Sequence, residues 1–147
     1  MRKGDWTPAG MLAEAVSVVA GIVYIVLQVI YGFFYPAAWH QPVLNILMAG
    51  LIYAALTLLT VYPERLNHLR PEACKGDIRK YSLRMVRTVK LLFMCGLMVP
   101  CICDVAGYPM PSLYTVAGIG LMLFAAIYYE VRIIGLIRDE NGDKDNE

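Results

Sequence analysis

The sequence predicts an all-α integral membrane protein: a four-helix bundle with its N- and C-termini cytoplasmic and a basic amphipathic helix before the third span. Three observations predict it. The chain has 147 residues, 59% of them hydrophobic and only 17% charged, against about 45–50% and about 25% in a soluble domain. The mean hydropathy is +0.54. The apolar residues are gathered into long runs, and the basic residues into alternate linkers.

The first run extends from Ala15 to Phe34 and the second from Val43 to Val61. The third, Leu91 to Val105, is short and borrows Thr88 and Val89, with Lys90 snorkelling. The fourth extends from Leu113 to Tyr129 and continues past Glu130 and Arg132 to Ile137. About 20 apolar residues cross a hydrocarbon core of about 30 Å. Backbone groups cannot be hydrated there, so segments of this length are expected to be helical. The runs lack the polar face of a soluble bundle. The first run is long and no clean small-x-small site follows it, so a cleavable signal peptide is not expected. One domain is expected over 1–138, with spans near 15–34, 43–61, 89–105 and 113–137, and a disordered acidic tail over 139–147.

Orientation follows from charge. The linkers Tyr35–Pro42 and Asp104–Ser112 contain no Lys or Arg. The other connection and the two ends hold every basic residue: Arg2 and Lys3; Arg65, Arg70, Lys75, Arg79, Lys80, Arg84, Arg87 and Lys90; Arg132, Arg138 and Lys144. Four spans put them all on one side, which the positive-inside rule makes cytoplasmic. Trp6, Trp39, Tyr35, Tyr62 and Tyr108 fall near span ends, where amphipathic aromatics sit at an interface.

Between the second and third spans, Asp77 is a plausible N-cap. Ile78, Tyr81, Met85, Val89 and Leu92 then fall on one helical face, and Arg79, Lys80, Arg84, Arg87 and Lys90 on the other. This pattern describes a basic helix over 77–90 at the headgroups of an anionic leaflet, one that either lies flat there or runs directly into the third span. Those five basic residues are candidates for docking a lipid or a partner. Glu130, Gln28 and Asn45 are the candidate intramembrane polar groups. Glu130 is positioned to pair with Lys90 or Arg87, and Gln28 and Asn45 to hydrogen-bond between helices. Glu14 opens the first span, where a carboxylate favours the helix dipole.

Cys101 and Cys103 form a C-x-C, and Met94 and Met98 share a face with Cys101. Soft ligands of this kind suit Cu(I), but without a nearby His they read as packing, and no metal or other cofactor is expected. Cys74 lies in the basic linker without an acylation motif. The sequence has no Gly-rich phosphate loop, no HExxH and no GxSxG. Its two histidines, His40 and His68, fall on opposite sides of the predicted membrane. No enzyme and no nucleic-acid partner are therefore expected.

Two stretches carry a family resemblance: Tyr62-Pro63-Glu64-Arg65-Leu66-Asn67, and the run from Arg79 through Tyr81, Arg84 and Arg87 to Leu91. Over roughly residues 50–95 the chain resembles small bacterial multi-pass membrane proteins related to the immunity protein against the sporulation-delaying toxin. The resemblance implies a bacterial cytoplasmic-membrane protein with a role in toxin protection, and no catalytic residues carry over. Upstream the chain departs from that family: its first outer loop is only Tyr35–Pro42, with His40 outside the family's Pro-x-His context. The function expected is that of a non-enzymatic accessory or immunity-type protein whose contacts are membrane lipids and a membrane protein partner or further copies of itself. A subunit of a small transporter or channel is the alternative.

Overall fold

The computed structural model describes residues 7–65, 76–111 and 113–144. They form four helices: α1 (Pro8–Phe34), α2 (His40–Val61), α3 (Gly76–Ala106) and α4 (Leu113–Lys144). All four are long and apolar enough to cross a membrane. Trp6, His68, Arg70, Cys74 and Lys75 lie outside the described residues.

Local chemistry sets the helix ends. Thr7 caps α1, its hydroxyl accepting from the Gly10 N–H at 3.2 Å, and Pro8 follows at the first helical position, where a missing N–H is harmless. Pro36 ends α1 and opens a single 3-10 turn, Pro36–Ala38, that reverses the chain into α2. Pro63 ends α2 in the same way. α3 closes with Gly107 in the left-handed region at φ 73°. The Gly107 N–H bonds Asp104 O, and the Tyr108 N–H bonds Cys103 O. These paired bonds satisfy carbonyls that the helix end would leave open, and glycine adopts the φ they require at no steric cost.

α3 also contains a proline, Pro100. Proline has no N–H, so the carbonyl four residues back, on Gly96, loses its intrahelical donor. Tyr114 at the start of α4 donates its hydroxyl to that carbonyl at 3.2 Å. A defect in one apolar helix is thus repaired by its neighbour, the condition for proline to persist where water is absent.

The helices do not surround one common core. α3 is the hub: α1 and α2 pack on it and on each other, while the substantial packing of α4 is with α3. Two apolar clusters result. One joins Ala20 and Tyr24 of α1, Ala49 of α2, and Met94 and Cys101 of α3, with Met98 packed alongside. The other joins Ile78 and Met85 of α3 to Ile133 of α4, flanked by Tyr81 and Tyr129. The 31 residues of α3 make it about 46 Å long, well beyond a hydrocarbon core of about 30 Å. Its first turns and the far end of α4 therefore pair beyond the ends of α1 and α2.

Residues 77–90 run directly into the third span as the first half of one unbroken α3, held in line because Ile78 and Met85 are buried against α4. α4 continues as helix to Lys144. No proline interrupts α4, and a helix already nucleated adds residues at little cost.

Replacing Tyr114 by Phe is expected to lower stability by about 1 kcal/mol, read from unfolding in detergent. In a Pro100→Ala background, where Gly96 O regains an intrahelical donor, the same change should cost almost nothing. Equal costs in both backgrounds would contradict the repair.

Candidate functional site

The hydropathy of these helices is reversed relative to a soluble bundle. The buried face of α1 is Gly10, Ser17, Ala20, Tyr24 and Gln28, spaced three, four and seven residues apart, with Glu14 between the first two. Its valines and isoleucines point outward: Val19, Ile22 and Val26 are all more than half exposed. The polar groups of α1, α2 and α3 converge in two clusters about 20 Å apart along α1.

The first cluster is built on Lys90, whose exposure is 0%. Its ammonium forms an ion pair and hydrogen bond with Glu14 Oε1 of α1. It also donates to the Thr57 hydroxyl of α2 at 3.2 Å and lies 4.4 Å from the centre of the Tyr53 ring. Thr57 in turn donates to Tyr53 O at 2.8 Å, so its hydroxyl both gives and accepts. Removing an ammonium from water costs several kcal/mol even after relaxation. One carboxylate, one hydroxyl and one aromatic face, the last contributing up to about 2 kcal/mol when desolvated, together replace its hydration. Glu14 keeps a side-chain exposure of 32%, but its Oε2 is buried with no hydrogen-bond partner among the described residues.

Arg87, one turn from Lys90, is also buried. Its guanidinium lies against Gly10 of α1, where an added Cβ would collide with Nη1 and stand 3.1 Å from Cζ. Gly10 is therefore the space that admits the arginine. The Thr7 hydroxyl borders the same point.

The second cluster is built on Gln28. Its Nε2 donates to the Cys101 Sγ at 3.5 Å, and its Oε1 accepts from Asn45 Nδ2 at 3.5 Å. One amide thus touches all three helices. Ala20, Ala49 and Met94 form an apolar layer between the two clusters. Among the described residues, no group of three or more His, Cys, Asp or Glu could hold a metal ion. Cys95, Cys101 and Cys103 are free thiols.

The structure redistributes the candidate residues. Arg87 and Lys90 are turned into the helix core rather than toward the surface, because Gly10 and Glu14 receive them. Lys80 and Arg84 are exposed and Arg79 is half-buried. Lys80 lies 3.5 Å from Asp77, and Arg84 lies over the Tyr81 ring. Glu130 does not pair with Lys90. It is exposed on α4 beside Tyr129 and Ile133, which pack at the level of Ile78 and Met85, nearer the start of α3 than Lys90. Glu14, expected to serve the helix dipole, is the partner of Lys90. The sequence holds one signal for this pair: opposite charges lie near one predicted end of two spans, on a face of α1 that also carries Ser17 and Gln28.

Comparison with family models, curated proteins and solved structures finds no match for this chain.

Glu14→Gln or Lys90→Met alone is expected to cost about 3 kcal/mol, since each leaves a buried partner uncompensated. The double variant should lose less than Glu14→Gln alone, because no unpaired ammonium remains. Chemical unfolding in detergent micelles measures all three, and additive losses would show that the pair does not act as a unit.

Proposed function

We propose that this chain is a multi-pass cell-membrane protein with both termini cytoplasmic, and that it is a non-enzymatic accessory or immunity-type protein acting through helix–helix and cytoplasmic-face contacts. The observation that carries the reading is the placement of α4. It packs on α3 and leaves most of its apolar length exposed, including Val116, Leu123, Phe124 and Ile127. A helix held at the edge of the others offers its remaining faces laterally, where a second membrane protein or another copy can pack. At the end where α3 and α4 outrun α1 and α2, Lys80 and Arg84 remain exposed. They suit anionic lipid headgroups or an acidic partner surface. The basic linkers support the cytoplasmic assignment, and the family resemblance over residues 50–95 supports a bacterial cytoplasmic membrane and toxin protection.

One observation favours the alternative, a subunit of a small transporter or channel. The Glu14–Lys90–Thr57 and Gln28–Asn45–Cys101 clusters stand at opposite ends of one three-helix interface. Ionisable groups at such depth often mark a pathway, although here the apolar layer of Ala20, Ala49 and Met94 separates them.

Crosslinking and pull-down from native membranes tests the first reading. A Lys80→Glu/Arg84→Glu variant is expected to lose a stoichiometric partner while its melting temperature matches wild type. Retention of the partner would remove the cytoplasmic face from the mechanism. Flux of protons or cations by wild-type protein in proteoliposomes would move the assignment to transport.

A further inference from the structure

We infer that the cleft between α1 and α2 is a binding site for the hydrocarbon chain of a membrane lipid. The cleft is a cavity of about 280 Å³ lined by Val18, Gly21, Ile22, Tyr24 and Ile25 of α1, Ile46, Ala49, Gly50 and Tyr53 of α2, and Met94 of α3. Its walls are two turns of each helix at spacings of three and four, so it runs along the helix axes for about 10 Å.

Small residues create the space. A Cβ built on Gly50 meets nothing within 4 Å, so open volume begins at that backbone. Ala49 forms the adjoining wall, and Gly21 lets the end of Met94 close the back, 3.3 Å from where a Cβ would stand. Val18, Ile22 and Ile25 are exposed along the rim. The cleft therefore opens sideways, into whatever surrounds the helices, rather than toward either polar cluster.

Chemistry and size select the occupant. The lining offers almost no polar atom, which excludes a headgroup, a nucleotide or a peptide backbone as the group held there. It opens laterally beside two helices long and apolar enough to span, where a bilayer presents alkyl chains, and its length of about 10 Å accommodates part of one such chain. The long axis is also that of bilayer chains, since both walls belong to helices long and apolar enough to span. Tyr53 belongs to two sites at once: one of its faces meets the Lys90 ammonium, and it also lines the cleft. A chain in the cleft thus lies directly against a residue that completes the first polar cluster.

The inference rests on the membrane location proposed above and is independent of the accessory role. It is tested on full-length protein in vesicles of phosphatidylethanolamine and phosphatidylglycerol in which one acyl chain carries a mid-chain diazirine. After irradiation, Ile22, Ile25 and Ile46 should be labelled several-fold more than Leu44 and Leu51, which are exposed on α2 outside the cleft and report insertion itself. Gly50→Phe should abolish the excess without lowering the melting temperature, and Gly50→Leu, with a smaller side chain, serves if the larger one does not fold. Labelling of the cleft no greater than of Leu44 and Leu51, or an excess that survives both substitutions, overturns the site. So does crosslinking of a second polypeptide at these positions in place of lipid. No labelling at Leu44 and Leu51 would overturn the membrane location, and with it this inference.

Discussion

An ammonium group with no access to solvent sits where α1, α2 and α3 meet, and the positions of those helices follow from what it requires. Lys90 needs a counter-charge, an oxygen acceptor and a third contact for its remaining hydrogen. Glu14, Thr57 and Tyr53 supply them from the two other helices. Because each contact is short-ranged, a substantial rotation of α1 or α2 about its axis would carry Glu14, or Thr57 and Tyr53, out of reach of the ammonium. Apolar packing alone could not fix those rotations: when the surroundings are as apolar as the interface, valine facing lipid is nearly as well placed as valine facing another helix. Polar contacts are what distinguish the inward face from the outward one.

The same reasoning explains the rest of the three-helix unit. Gln28 repeats at the opposite end what Lys90 does at the first, joining Cys101 and Asn45 through one side chain. Other buried hydroxyls bond back to their own helix. Ser17 bonds Glu14 O, Thr60 bonds Thr57 O and Ser82 bonds Ile78 O, so each buried donor is satisfied locally. α4 stands outside this scheme. It is attached to α3 by the Tyr114–Gly96 bond at one end and by packing of Ile133 on Ile78 and Met85 toward the other. Much of its surface is left for other contacts, and the proposed function places partner recognition on it and on Lys80 and Arg84 of α3.

How far the residues could be read before folding depended on whether the relevant contact was local. Helix ends are set within a few residues by Thr7, Pro8, Pro36, Pro63 and Gly107, and the four apolar runs correspond to four helices. The assignment of Lys90 and Arg87 to an outer basic face followed from treating residues 77–90 as a helix alone in an interface. On an isolated helix those side chains would remain hydrated. They turn inward because Gly10 leaves room for one and Glu14 neutralises the other, and both of those lie more than seventy residues away in the chain. Glu130 shows the reverse: an acidic residue within an apolar run, left exposed because the packing of α4 on α3 buries Tyr129 and Ile133 instead.

The sequence by itself determined the helical class and the number of helices, because hydrophobic run length acts through neighbours along the chain. Tertiary structure alone decided which charges are paired, which helix is the hub and where the cleft opens. Those depend on the rotation and axial offset of one helix against another. Lys90 meeting Glu14, or Gly50 left without a neighbour, is the outcome of such an offset, and no spacing within a single segment encodes it.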